Sequence, residues 1–295
     1  MDYNVHPEHQ YLRLIYKIIN NGTEETGRNG DVKMIFGNMM RFSLKDGELP
    51  LLTTKKLAYK ACFNELMWFI RGSTDNTQLQ KQGVHIWDDN SSREFLNNQG
   101  LHHLDEGDIG AGYGFQWCHW GAEYIDCKTD YTGKGINQLH RIIEDLKDPE
   151  KRSSRRLILS AWNVTDLDKM ALNPCHILCQ FNVREGRYLS CSMYQRSADV
   201  GLGMPFNIAS YSFLTHILAK HTGLEAEEFI YFTGNNHIYK NHIEPLSEQT
   251  TRTPFPFPKI FIKNKHERIE DYCIDDIQWI EPYNSHEKIK MDMTA

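Results

Sequence analysis

"ILCQFNVREGRYLSCSMYQRSADVGLGMPFNIASYSFLTHILAKHTG", residues 177–223, holds the pattern that decides the fold class. Residues 177–183 and 188–194 alternate apolar and polar side chains, the period of a half-buried strand, and "REG" between them reads as a hairpin turn. The period then changes. After Pro205 the spacing predicts a helix over 208–221, with Ile208, Tyr211, Leu214 and Leu218 on one stripe and Gly223 past its end. Outward from this stretch, 156–162, 228–233 and 258–263 also read as strands. Residues 59–71, apolar almost all round and ending at Gly72, read as a buried helix. Residues 6–21 carry Leu12, Ile15, Ile18 and Ile19 at helical spacing with Gly22 as a stop. The Gly-, Asp- and Trp-rich stretch 81–135 has weak periodicity and reads as loops and short pieces, where function concentrates. With no repeat, low-complexity tract or linker, the expectation is one mixed α/β (α+β) domain over 1–295.

The 295 residues are 40% hydrophobic and 24% charged, a composition that folds. A formal net charge of −6 with dispersed basic residues argues against DNA as a partner, while a few focused arginines still suit a small phosphate-bearing ligand. The seven cysteines form no CxxC pair, the N-terminus carries no basic-then-apolar signal segment, and no apolar run approaches the ~18 residues of a membrane span. The expectation is a soluble cytoplasmic protein with free thiols, no metal and no membrane partner.

Cys175 sits between Pro174 and His176 at the entry to a strand, where a thiol can be partly exposed and a neighbouring cation would lower its pKa. Free cysteine is nevertheless among the most buried residue types, so these residues alone favour a structural thiol. Adjacent strand residues face opposite ways, which argues against His176 as its base. Glu65 has Ala61, Cys62, Trp68 and Phe69 at helical spacing. Either it is desolvated there, with a raised pKa that suits a general acid or base, or it turns to water beside Asn64 and Arg71.

The run 194–211 gathers Gln195, Arg196, Ser197, Asp199 and Asn207 around Gly201, Gly203 and Pro205. A guanidinium and a hydroxyl together suit a phosphate. The Asn207 amide, acceptor and donor side by side, complements a uracil edge. A helix N-cap would also account for Asn207, but not for the Arg196, Ser197 and Asp199 cluster. Arg155 and Arg156 precede an apolar strand, so one of them must point inward or into an interface. His237 and Tyr239 in "GNNHIY" add further donors.

Taken together, "ELMWFIRGST", "VHIWDDNSSREFL", "YGFQW", "SRRLILSAWN", "PCH", "QRSADVGLGMPFNIASY" and "HIY" stand in the order and spacing of folate-dependent thymidylate synthases. From about Tyr11 to its end the chain resembles the large, eukaryote-like type of that family. The resemblance implies the thymidylate synthase fold, a mixed sheet packed by helices, and a sheet-to-sheet homodimer. It implies reductive methylation of dUMP to dTMP with 5,10-methylenetetrahydrofolate as one-carbon and hydride donor. Cys175 would add to C6 of dUMP, and Glu65 would manage proton transfers. Arg28, Arg196 and Ser197 would hold the 5′-phosphate, joined by Arg155 and Arg156 of the other subunit. Asn207 would read the uracil edge, an asparagine favouring dUMP where dCMP enzymes carry aspartate, and His237 and Tyr239 would hold the ribose. Ile86, Trp87, Asn90, Asp199, Leu202, Gly203, Phe206 and the terminal Ala295 would form the folate site, with Asp199 also catalytic. Tyr113, His176 and Gln195 would complete the polar wall, Tyr113 and His176 among the catalytic residues.

Four departures stand against the family pattern. "GRNGDVK" is shorter than the usual phosphate loop, Ala111 and Gly112 replace proline and a larger aliphatic residue, Cys118 replaces arginine, and the chain ends "MDMTA". Weaker water exclusion would redirect the chemistry to 5-hydroxymethyl-dUMP. A non-catalytic nucleotide binder would show damage at Cys175 or Glu65, and neither is altered.

Overall fold

A computed structural model describes residues 5–27 and 30–292. Six strands form one mixed sheet: β1 (Thr23–Gly27), β2 (Gly30–Ser43), β3 (Ile158–Ser160), β4 (His176–Arg184), β5 (Tyr188–Asp199) and β6 (Glu225–Tyr239), in the spatial order β1-β2-β6-β5-β4-β3. A separate two-stranded ribbon pairs β7 (Lys259–Ile262) with β8 (Ile277–Glu281). The α-helices among the described residues are α1 (His9–Asn21), α2 (Tyr59–Ile70), α3 (Thr77–Gln80), α4 (Arg93–Asn98), α5 (Tyr113–His119), α6 (Gln138–Lys147), α7 (Gly203–Thr222) and α8 (Ile243–Thr250).

The predicted hairpin is β4–β5. Arg187 N–H closes its turn onto Arg184 O at 3.1 Å, and the two central residues, Glu185 and Gly186, both have positive φ (55° and 64°). Such a turn matches the twist of the strands it joins, and glycine adopts that backbone without strain. β5 and β6 run parallel, so the chain must cross over between them, and α7 is that crossover. Odd-numbered residues of the central strands (Cys179, Phe181, Cys191, Met193, Phe229, Tyr231) face the core, to which α7 contributes Ile208, Phe213, Leu214 and Ile217. Each large apolar side chain buried there stabilises by about 1.5–3 kcal/mol relative to exposure. Phe63 of α2 meets Phe213 edge-on at 5.3 Å, tying the second buried helix to the first.

Several boundaries differ from those the pattern predicts. The strand over 156–162 contracts to Ile158–Ser160, because Asn163 accepts from Thr165 N–H at 3.3 Å and starts a 3-10 turn that leaves the sheet. α7 begins at Gly203 rather than 208. Pro205 lies in its first turn, where a missing N–H breaks no helical bond, so Asn207 is helical and not a cap. β5 and β6 reach Asp199 and Tyr239, beyond the predicted ends at 194 and 233. The β1–β2 hairpin has no predicted counterpart. β2 keeps one antiparallel register with β6 from Val32↔Tyr239 to Ser43↔Glu228, but only Val32, Met40 and Phe42 along it are buried, so its two-residue period is weak.

Candidate active site

The sheet topology collects the chemistry at one end. The C-terminal ends of the parallel strands β5 and β6 carry Ser197, Asp199, His237 and Tyr239, in register as Ser197↔Asn235 and Asp199↔His237. β4 runs antiparallel to β5, so its N-terminal end, with Cys175 just before it, arrives at the same edge, where His176 pairs with Gln195. α7 starts there too, bringing Gly203 and Asn207. A crevice outside the carboxyl ends of parallel strands is where ligands bind in open α/β sheets.

Cys175 is half-buried, unlike the fully buried Cys179 four residues on. Its backbone is held on both sides: its N–H donates to the Tyr113 hydroxyl at 2.6 Å, and its carbonyl accepts from Arg196 N–H at 2.8 Å. The Tyr113 ring stacks on His176 at 4.1 Å. His176 in turn bonds the Tyr211 hydroxyl through Nδ1 at 2.7 Å, and burial pushes its pKa down to about 3. It is a neutral wall, not a base. The Arg196 guanidinium lies over the Trp162 ring and donates Nε to Pro174 O and Nη2 to Asn173 O, both at 2.8 Å. The cation is therefore rigidly placed beside the Cys175 loop. Gln195 is fixed by Tyr231, whose hydroxyl donates to Oε1 at 2.6 Å, and by its own bond to Ser197 O at 2.8 Å.

Glu65 is 9% exposed, which excludes the water-facing alternative. Burial raises its pKa to about 7, opposed by Trp87 Nε1, which donates to Oε1 at 2.7 Å. Asp199 Oδ1 accepts from Gly201 and Leu202 N–H, at 2.9 and 3.3 Å. A β-carbon at Gly203 would stand 3.7 Å from the Asp199 β-carbon and 3.9 Å from Asn207 Oδ1, so glycine keeps the space between them open. The Asn207 amide and the Ser197 hydroxyl are half-buried and form no hydrogen bond with a described residue. His237 bonds Asn235 Oδ1 at 3.1 Å and packs edge-on to Tyr239. Ile86, Asn90, Leu202 and Phe206 are half-buried, while Trp87 is buried in contact with Phe69 and Tyr113.

Arg155 and Arg156 are not brought into this group. Both are exposed at the β3 edge, so neither points inward in this chain, against one of the two expected orientations. Arg28 and Ala295 lie outside the described residues. Met291 and Asp292 do place the tail: His242 Nε2 contacts Asp292 O at 2.8 Å, and a β-carbon at Gly201 would meet Met291 Sδ at 3.3 Å.

The family model for thymidylate synthase matches residues 9–295. The chain belongs to the thymidylate synthase family. It is 51% identical to the thymidylate synthase of equine herpesvirus 2 over 98% of this chain and 99% of that protein. It is likewise 51% identical to the thymidylate synthase of Homo sapiens, over 98% of this chain and 91% of that protein. Against the bifunctional dihydrofolate reductase-thymidylate synthase of Plasmodium chabaudi it is 51% identical over 99% of its own length, and spans about half of that longer protein.

Membership in the family does not remove the departures, but two of them acquire a physical account. Ala111 has the N–H that a proline lacks, and donates it to Lys169 O at 3.0 Å, so the segment before Tyr113 is tied to 169–171. Cys118 is buried, its thiol directed at Ile70 O at 3.3 Å and its pKa pushed up to about 12. Sequence reasoning missed Lys55, buried in "TTKK" with Nζ on Gly201 O and pushed down to about 8 by burial against the pull of Asp199. It also missed Tyr231 and read Tyr211 only as helix stripe. A hydroxyl on an otherwise apolar stripe was the available signal for Tyr211.

Proposed function

We propose that this chain carries out its family's reaction, reductive methylation of dUMP to dTMP with 5,10-methylenetetrahydrofolate as co-substrate, within a single catalytic domain. The observation that carries the reading is a half-buried thiol pinned at its backbone between Tyr113 and Arg196, with the Ser197 hydroxyl at the same end of the sheet and the Asn207 amide at the start of α7, neither bonded to a described residue. The thiolate of Cys175 adds to C6 of the uracil, making C5 nucleophilic toward the one-carbon unit; loss of the C5 proton lets the folate nitrogen leave, and the thiolate is expelled once hydride has reached the resulting methylene. Glu65, poised near neutrality, moves protons through water. Asn207 presents its amide to the uracil edge, and Arg196 and Ser197 take the 5′-phosphate together with Arg28. His237 and Tyr239 take the ribose hydroxyl.

The half-buried apolar side chains of Ile86, Leu202 and Phe206, the buried Trp87 and the space beside Asp199 that Gly203 leaves suit a flat folate ring, with Asn90, Asp199 and Ala295 as its further contacts. Bound folate supplies the one-carbon unit and then the hydride. What the chain must add is exclusion of water, and the Ala111 tie to Lys169 works in that direction rather than against it. The names of the matched relatives do not favour the hydroxymethyl product either.

A sheet-to-sheet homodimer is part of this proposal. The face of the sheet opposite the core leaves Leu178, Phe232, Met39 (paired with Phe232) and Ile158 between 37% and 45% exposed, an apolar surface flanked by Arg155 and Arg156. Pairing two such faces covers it and lets the arginines reach the other subunit's phosphate site. Cytoplasmic location is likewise proposed; no helix among the described residues is long and apolar enough to cross a membrane.

The test is direct. Purified protein is incubated with dUMP and methylenetetrahydrofolate, the nucleotide is identified by mass and the folate by absorbance. dTMP with dihydrofolate is expected. Tetrahydrofolate with 5-hydroxymethyl-dUMP, or binding without turnover, would overturn the proposal.

A further inference from the structure

Asp108 is fully buried and forms no ion pair with a described residue. A carboxylate in such a place is costly unless donors satisfy it. Here they do: Oδ1 accepts from Gly110 N–H at 2.7 Å and from the Tyr124 hydroxyl at 2.5 Å, and Oδ2 accepts from Cys127 N–H at 2.8 Å. Thr74 Oγ1 lies 2.8 Å from the Tyr124 hydroxyl and completes the chain. Tyr124 itself packs edge-on against Phe115 at 4.9 Å, so the 121–131 loop is fastened to α5.

The backbone that Asp108 grips leads to Tyr113. Along it, Ile109 N–H donates to Thr74 O at 3.1 Å, Ala111 N–H to Lys169 O at 3.0 Å, and Ala171 N–H to Ile109 O at 3.0 Å. The segment is therefore threaded between the chain that follows α2 and residues 169–171, which run on to Asn173, Pro174 and Cys175. Gly110 and Gly112 give it wide backbone freedom, and Ala111 does not lock φ as a proline would. Strand-like bonds restrain it on two sides, and Asp108 restrains it on the third.

We propose that Asp108 is a positioning residue: by holding Gly110 against the Tyr124–Cys127 loop, it sets where the Tyr113 hydroxyl stands beneath Cys175 N–H. The proposal rests on the thymidylate synthase reading of the site. Asp108 touches no reacting atom; its effect passes through Tyr113, whose hydroxyl holds Cys175 N–H at 2.6 Å and whose ring stacks on His176. A displacement of about 1 Å at such a contact is enough to slow chemistry by about a hundredfold without removing any binding group.

The experiment is a double-variant cycle. Asp108→Asn keeps the shape but turns one acceptor into a donor facing backbone N–H groups. Its kcat is expected to fall about 10- to 100-fold, while the dUMP dissociation constant by calorimetry stays within about threefold. In a Tyr113→Phe background, Asp108→Asn should then slow turnover no further, because the contact it positions is already gone. Unchanged kcat in the single variant, or losses that multiply in the double, would overturn the proposal. Should Asp108→Asn fail to fold, Tyr124→Phe, which removes one donor and leaves both backbone bonds, goes through the same cycle with a smaller loss expected and the same two overturning outcomes. Wild type assayed alongside separates the readings: no dTMP from wild type defeats the assigned reaction, whereas wild-type turnover with multiplying losses defeats only the role of Asp108.

Discussion

Glu65 shows how one residue's surroundings decide its chemistry. Its native pKa of about 7 lies above the ordinary 4.5, so the folded protein holds this proton to higher pH than the unfolded chain does. Between those values the native state binds more protons, and stability falls as pH rises; above about 7 the loss is complete, about 3 kcal/mol for this group. Glu65→Gln should therefore flatten the stability curve between about pH 5 and about pH 8 relative to wild type, while turnover drops by about 10²–10⁴-fold. Chemical denaturation at a series of pH values checks the first part, and a parallel slope in both proteins would count against the buried, protonated carboxyl. Asn207 makes a different point. Its amide has no described partner, so Asn207→Asp changes what is offered to the ligand and little else, and is expected to shift the dUMP/dCMP activity ratio toward dCMP; an unchanged ratio would show that the edge is read elsewhere.

At the scale of elements, the strongest constraint is backbone approach. Gly110 has φ +74°, and a β-carbon there would lie 2.1 Å from Lys169 O. Gly110→Ala is expected to destabilise the protein by more than about 2 kcal/mol, through both the strained backbone and the clash, and to lower kcat because the same segment carries Tyr113. Thermal unfolding and steady-state kinetics on the one variant check both, and a near-normal melting temperature would mean that the 108–113 segment can shift freely. The elements themselves were legible to differing degrees. The β4–β5 hairpin and α2 follow from periodicity, since one face or the whole surface of each is buried. β2 was hidden because only Val32, Met40 and Phe42 along it are buried, and the start of α7 by the habit of reading Pro205 as a boundary when it sits comfortably in a first turn. The network around Asp108 has no sequence signal at all, because Thr74, Asp108, Tyr124 and Cys127 meet only across loops.

The whole molecule is where Arg155 and Arg156 find an account. Both are exposed in a single chain, yet they border the apolar face that the proposed homodimer covers. Phe232→Glu should therefore yield a monomer by sedimentation, with turnover lost as the sites are parted. A complementation experiment tests the crossing arginines. Cys175→Ser and Arg155→Ala/Arg156→Ala proteins, each nearly inactive alone, should after subunit exchange recover about a quarter of wild-type activity, since half the dimers are mixed and each mixed dimer has one complete site. No recovery, with exchange shown by mass, would place the arginines in their own subunit's chemistry.

By itself the sequence determined the mixed α/β class, the hairpin and buried helices, and through its motifs the family, which is what proposes Cys175, Glu65, Arg196 and Asn207 as one site. These depend on local period and on residue types in order along the chain. Only the tertiary structure decided that Glu65 is buried against Trp87, that His176 is a neutral wall stacked on Tyr113, and that Ala111 and Asp108 restrain the segment beneath Cys175. The physical reason is that burial and hydrogen-bond partnership are set by residues tens to hundreds of positions away. Cys175 accordingly reads as an ordinary thiol until Tyr113 and Arg196 are folded against it.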